Sequence, residues 1–161
     1  MAVFFSDKEL LEFAIGIERN GAAFYRKLSD ITQVNSVKDV LNYLSEEEEK
    51  HEHTFQSLIA STGEFQPSES YPSEYRQYLQ ALIDNTIFTD LADAEQKAGQ
   101  ISDAVKAIDI GIQAEKDSIV FYTEMQSYMS KSHETIVQEI LTEEKNHLKK
   151  LAELKKIIKE E

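Results

Sequence analysis

Residues 37–58 read VKDVLNYLSEEEEKHEHTFQSL and place a polar pair on an apolar helix face. Positions spaced alternately four and three apart lie on one side of an α-helix. Along this segment those positions are apolar except at Glu48 and His51. We therefore predict that this Glu-x-x-His pair points into a protein core. The complete stripe is Val37, Leu41, Leu44, Glu48, His51, Phe55 and Leu58.

The other charged residues of this stretch are expected to face solvent. His53 follows His51 by two residues, which turns it about 200° around the helix axis. His133, near the start of the last predicted helix, is likewise expected at the surface. The residues predicted on the solvated face are Glu46, Glu47, Glu49, Lys50 and Glu52.

Three further segments carry polar residues on apolar stripes. A second Glu-x-x-His, Glu144 and His147, interrupts the stripe Val137, Ile140, Leu151, Leu154 and Ile158. Two other stripes contain one glutamate each, Glu18 and Glu115. A tyrosine follows each of these glutamates by seven residues on the same face, Tyr25 and Tyr122, with Gly21 or Ser118 between them. The sequence therefore predicts four inward glutamates and two inward histidines.

The order of the segments predicts a helical bundle. IERNGAAFY at 17–25 aligns with AEKDSIVFY at 114–122, and the two Glu-x-x-His segments also align, so each half reads as a helical hairpin. Two hairpins joined by a long connection form an antiparallel four-helix bundle with a crossover between the second and third helices. The predicted helices run from a Ser6 capping box to about 30, from 37 to 61 with a stop at Gly63, from a Ser102 cap to about 129, and from 132 to the C-terminus. The crossover, 64–101, contains both prolines and short helical candidates at 73–85 and 90–97.

Four carboxylates in one core layer require positive charge. An unpaired buried carboxylate is costly, and close like charges keep some carboxyl groups protonated. Two divalent cations would balance four carboxylates and leave the histidines neutral. A shell rich in oxygen with one imidazole per cation suits iron or manganese better than structural zinc. The predicted metal ligands are Glu18, Glu48, His51, Glu115, Glu144 and His147.

Composition narrows the remaining possibilities. The chain has 161 residues, enough for one domain over 1–161, and a net charge of −13. Nucleic acids and anionic membranes bind through Lys and Arg, so neither is an expected partner. The sequence has no cysteine, which excludes thiolate metal sites and disulfides within it. Without an apolar stretch near about 20 residues, we expect a soluble cytoplasmic protein.

The ligand pattern and the local sequences of the two repeats resemble those of the rubrerythrin branch of the ferritin-like dimetal-carboxylate superfamily. The resemblance covers nearly the whole chain and implies an all-α, ferritin-like bundle with two iron ions. It also implies that Glu18 and Glu144 are terminal or chelating ligands and that Glu48 and Glu115 form the bridging pair. Rubrerythrins proper add a cysteine-ligated rubredoxin domain and often a further glutamate where this chain has Ser118.

Three functions are compatible with this pattern. The first is an oxidoreductase that reduces peroxide or dioxygen with electrons from a separate donor protein, with Tyr25 and Tyr122 as catalytic candidates beside the metals. The second is an iron-storage protein in which the same site oxidises Fe(II). The third is a helical interaction module that is only stabilised by metal. A homo-oligomer, most simply a dimer, is expected, whereas a storage protein would form a large soluble cage.

Overall fold

The computed structural model describes residues 6–61 and 73–160, which form six helices and no strand. The predicted stop at Gly63 and both prolines lie outside the described residues. Four long helices correspond to the predicted bundle, and two short ones lie in the crossover. Their bounds are α1 Asp7–Ile31, α2 Asn35–Ser61, α3 Ser73–Asp84, α4 Leu91–Gln100, α5 Ala104–Gln126 and α6 Lys131–Glu160.

Side-chain caps determine where the helices begin. The Ser6 hydroxyl accepts a hydrogen bond from the Glu9 N–H, as the predicted capping box requires. The predicted N-cap of α5 was wrong by one residue. The carboxylate of Asp103, not the side chain of Ser102, accepts a hydrogen bond from the Val105 N–H. The α5 helix also ends at Gln126, three residues before the predicted end, and α6 begins at Lys131.

Pairs of contacting residues establish the direction of each helix. Along α1 and α2, Arg19 contacts Glu52 and Ser29 contacts Asn42, so the two helices are antiparallel. The α5–α6 hairpin is antiparallel as well, with Asp109 against Lys155 and Gln126 against Gln138. Contacts of Glu18 with Tyr122 and of Tyr25 with Glu115 make α1 and α5 antiparallel. Helices α2 and α5 are therefore parallel, and the all-α, ferritin-like bundle with a crossover is confirmed.

The buried residues form two apolar clusters, one on each side of the polar layer. One cluster includes Leu11, Phe55, Tyr122 and Ile140, and the other includes Phe24, Leu41, Ile108 and Leu151. On each long helix the inward glutamate falls between members of the two clusters. The polar layer therefore lies across the middle of the bundle.

The crossover helices cover the outside of the bundle. Helix α3 packs against α5, and α4 packs against α1 through the buried Ala94 and Ala98. Phe88, in the loop between them, packs its ring 4.9 Å from that of Phe24. None of the helices in the described parts of the chain is both long enough and apolar enough to cross a membrane.

The prediction for His133 was wrong, because this residue is buried. Its Nδ1 lies 3.2 Å from the carboxylate of Asp7, which also accepts hydrogen bonds from the Ser130 N–H and hydroxyl. The contact joins the first turn of α1 to the start of α6. It shields both polar side chains from solvent at the end of the bundle.

Candidate metal centre

The structure brings all six predicted ligand side chains into one layer. None of these residues is more than 4 % exposed. Each long helix contributes a glutamate, and α2 and α6 each add a histidine one turn later. The six residues are Glu18, Glu48, His51, Glu115, Glu144 and His147.

The ligand atoms form two overlapping groups, each compact enough to surround one cation. Glu18 and His51 belong to the first group only, and Glu115 and His147 to the second only. The remaining two residues, Glu48 and Glu144, belong to both. The shared pair is therefore Glu48 and Glu144, which differs from the bridging pair of Glu48 and Glu115 that the resemblance implies. Sequence spacing gives the height of a residue along the bundle, but it does not give the lateral order of the helices that decides which carboxylates are shared.

Both histidines direct Nδ1 toward the centre of the layer. The Nδ1 of His51 lies 2.7 Å from Glu144 Oε1, and that of His147 lies 3.6 Å from Glu48 Oε1. The other ring nitrogen of His51, Nε2, lies 2.5 Å from Glu143 Oε2. With its proton on Nε2, His51 would donate to Glu143 and keep Nδ1 free as a ligand. Sequence reasoning missed this role of Glu143, whose only signal is its position directly before Glu144.

The two tyrosines form a crossed pair of hydrogen bonds. Tyr25 on α1 donates to Glu115 Oε1 on α5 at 2.6 Å, and Tyr122 on α5 donates to Glu18 Oε1 on α1. Each glutamate that belongs to one group is therefore oriented by the tyrosine of the opposite helix. Burial, followed by the negative charge of nearby glutamates, raises the pKa of both phenols well above its usual value. Both hydroxyls consequently keep their protons at neutral pH.

The carboxylates strongly perturb one another. Burial raises the pKa of Glu48 and of Glu144, and the charge of Glu18 raises both further. Burial would also raise the pKa of Glu18, but hydrogen bonds and the charge of His51 outweigh burial and lower it. For His51, burial opposes the charged imidazolium, yet the surrounding carboxylates prevail and raise its pKa. In the metal-free layer, the raised pKa values therefore favour the protonated forms of Glu48, Glu144 and His51.

The unsatisfied atoms of the layer test whether a metal fits there. Several buried side-chain atoms make no hydrogen bond of suitable geometry, although His51 Nδ1 and Glu144 Oε1 lie close together, and these atoms converge on the layer from three of the helices. Such atoms are costly unless something compensates them. Their oxygen-rich composition, with one histidine per group, fits two iron or manganese cations. The atoms are Glu48 Oε2, Glu115 Oε2, Glu144 Oε1 and Oε2, His51 Nδ1 and His147 Nδ1.

Comparison with models of protein families shows which family the chain belongs to. The model described as Rubrerythrin matches residues 9–155. The chain belongs to the rubrerythrin family. The buried Glu/His cluster is the candidate metal site of this chain. No curated protein matches the chain significantly.

Two solved structures resemble this rubrerythrin-family chain in fold. One, from Thermotoga maritima, is described as a ferritin-like diiron-carboxylate protein; it is 24% identical, with a TM-score of 0.73, and the match covers 94% of this chain and 95% of that one. The other is a hypothetical protein from Pyrococcus furiosus that is 20% identical, with a TM-score of 0.64. That match covers 95% of this chain and 90% of the other chain. At these identities the likeness shows the fold alone.

Ser118 marks a departure from the rubrerythrin pattern. Ser118 lies on α5, one turn after Glu115, and its hydroxyl donates a hydrogen bond to the Ala114 carbonyl at 3.1 Å. The position is mostly buried, but it supplies no acid. Ser118 therefore contributes no carboxylate ligand to the layer.

The charged residues around Glu48 are less solvated than predicted. Glu46, Lys50 and His53 are exposed, as expected. The side chains of Glu47 and Glu52 are only 14% exposed, because Glu47 pairs with Lys50 and Glu52 with an arginine of α1. Glu47 also lies close to both histidines of the layer. The surface of α2 is thus an ordered network of ion pairs beside the site.

Proposed function

We propose that the chain is a dimetal-carboxylate oxidoreductase that reduces peroxide or dioxygen with electrons from a separate donor protein. The observation that carries the proposal is the layer of four glutamates and two histidines whose unsatisfied atoms converge in a rubrerythrin-family bundle. Iron is the proposed metal. Two iron ions held there would supply the two electrons that cleavage of an O–O bond requires.

Each ligand has a distinct part in this proposal. Glu48 and Glu144 would contact both ions, because each belongs to both groups of ligand atoms. Glu18 and His51 would complete the first site, and Glu115 and His147 the second. Carboxylates dominate the shell and therefore favour the more oxidised, more highly charged state of a bound cation.

Tyr25 and Tyr122 act on the carboxylates in this proposal. Each holds one oxygen of its glutamate partner and leaves the other oxygen for the cation. Because their raised pKa values keep both phenols protonated, they add hydrogen bonds to the layer without adding negative charge. A role as proton donor to bound peroxide remains a prediction for the same two hydroxyls.

Metal analysis combined with a peroxide assay tests the proposal. Protein purified from its own host should contain about two iron ions per chain. When supplied with a reductant, it should consume hydrogen peroxide catalytically. The double variant Glu48→Gln/Glu144→Gln should lose both properties, whereas Glu46→Gln/Glu139→Gln, which changes exposed residues of the same two helices, should retain them.

Other results would point to the competing functions. A large assembly that retains many irons per chain would indicate storage, and size-exclusion chromatography would separate it from the dimer that we propose. Bound metal with neither turnover nor iron uptake would indicate a metal-stabilised interaction module.

A further inference from the structure

A cavity of about 170 Å³ connects the protein surface with the carboxylate layer. It lies between α1, α5 and the loop that joins α3 to α4. Its inner end includes the buried Glu18, Glu48 and Glu115, and its outer end includes the exposed Glu12 and Thr89. Neither histidine of the layer lines it. A molecule could therefore reach the site from the side opposite the imidazole ligands.

The middle of the cavity has an apolar wall that is fixed in place. The loop between α3 and α4 is held to α5 because the Ile87 N–H donates to the carboxylate of Asp117 at 2.8 Å. Phe88 in the same loop is buried against Phe24. The wall is thus anchored by a hydrogen bond and by ring packing. Its large apolar side chains are Phe13, Ile17, Ile83, Ile87 and Phe88.

The charge of the lining selects against anions. The described residues around the cavity include no lysine, arginine or histidine. They do include the acidic side chains Glu12 and Asp117, in addition to the carboxylates at the inner end. Apart from the metal ions proposed at the inner end, a ligand with a carboxylate or phosphate would meet negative charge along the cavity and find no cationic side chain. The cavity therefore suits a neutral molecule.

The cavity is much larger than dioxygen or hydrogen peroxide requires. One water molecule takes up roughly 30 Å³ in the liquid, and an apolar cavity of about 150 Å³ can hold benzene. Gly16, in the interior of α1, lines the open space, and a Cβ atom added there would meet nothing within 4 Å. Glycine in the interior of a helix makes the helix less stable than alanine would. A side chain at position 16 would therefore begin in the open space of the cavity.

We infer that this cavity binds a small, neutral, apolar molecule and that the substrate of the site is an alkyl hydroperoxide of that size. The hydrocarbon group would pack against the apolar wall, and the O–O group would reach the carboxylate layer. The substrate assignment rests on the proposed function. Two electrons from the separate donor protein and two protons from solvent cleave the O–O bond, which gives one alcohol and one water.

Ligand binding tests the cavity without any turnover. Fluorobenzene is titrated into the zinc-loaded full chain, and its binding is followed by ¹⁹F NMR. Wild type should bind it, and Gly16→Leu should bind it at least about tenfold more weakly, because the new side chain occupies the cavity. Gly99→Leu is the matched control, since Gly99 is exposed on α4 and outside the cavity. It should bind like wild type. Equal binding by wild type and Gly16→Leu, or none by wild type, would overturn the inference.

Turnover tests the substrate class. In the iron-loaded protein, Gly16→Leu should lower kcat/KM for tert-butyl hydroperoxide about tenfold more than it lowers kcat/KM for hydrogen peroxide. Equal losses for both peroxides would overturn the alkyl hydroperoxide assignment. Fluorobenzene binding without turnover of any peroxide would refute the proposed function and with it the substrate assignment. Hydrogen peroxide turnover without fluorobenzene binding would refute the cavity and leave the proposed function standing.

Discussion

Removing metal should destabilise the protein strongly, since the proposed ligands come together only in the folded chain. A ligand that binds only the folded state stabilises it by RT ln(1 + [L]/Kd), which is about 4 kcal/mol at a thousandfold excess over Kd. In a domain of about this length, each kcal/mol shifts Tm by about 2–4 °C. Chelation should therefore lower Tm by about 8–16 °C under those conditions.

The assay is a thermal melt with and without chelator, followed by circular dichroism at 222 nm. Glu48→Gln/Glu144→Gln should abolish the chelator effect, because both shared carboxylates are lost. Glu46→Gln/Glu139→Gln removes the same charge from exposed positions on the same helices and should preserve it. If the exposed pair, and not the buried pair, controlled the response to chelator, the metal would bind at the surface and the dimetal reading would be wrong.

Three further experiments examine single features of the site. Glu48→Ala should remove both metals, whereas Glu115→Ala should leave about one per chain by elemental analysis, because Glu115 belongs to one group only; equal stoichiometries would contradict the shared role of Glu48. Tyr122→Phe should cost about 1–3 kcal/mol in urea unfolding of the metal-free protein, since buried Glu18 would lose its donor; an unchanged midpoint would contradict this contact. Metal-free stability should rise as pH falls from about 8 to about 5, because the raised pKa values of Glu48 and Glu144 leave more protons on the folded chain than on the unfolded one. The stabilisation by Glu48 and Glu144 is complete below the unfolded pKa of 4.5 and is lost as pH rises through their folded pKa values. The lowered pKa of Glu18 opposes this stabilisation, mainly at pH values below 4.5. Urea melts at a series of pH values measure the effect, and a free energy of unfolding that decreased toward about pH 5 would contradict the predicted sign.

The helices and their inward faces could be predicted because a single periodicity determines both. The stripe from Val37 to Leu58 is buried at every predicted position, including Glu48 and His51. The aligned halves also revealed two hairpins, and the long connection between them indicated the crossover. These features depend on residue spacing within one segment or on chain order, and a sequence records both directly.

Features that depend on which helices lie side by side could not be read in this way. The bond from His51 to Glu143 joins residues from different hairpins, and so does the contact of Tyr122 with Glu18. His133 looked like a surface residue because its partner, Asp7, lies at the other end of the chain. The pairing of carboxylates into two groups has the same origin.

The crossed tyrosines also require a particular space between helices. A Cβ atom at Gly111 would lie 3.2 Å from Tyr25 Cε1 and 3.3 Å from Leu151 Cδ1, which is tighter than nine in ten real Cβ contacts. Glycine at this position therefore lets the Tyr25 ring pass close to α5, so that its hydroxyl reaches Glu115 one turn farther along. Gly21, on the same predicted stripe as Glu18, differs, because a Cβ there would make only ordinary contacts with Glu48. The glycine that the site geometry needs is thus Gly111, which makes room for Tyr25 of the opposite helix. Because the Tyr25 ring belongs to the adjacent apolar cluster, the hydrogen bonds of the polar layer depend on packing in that cluster.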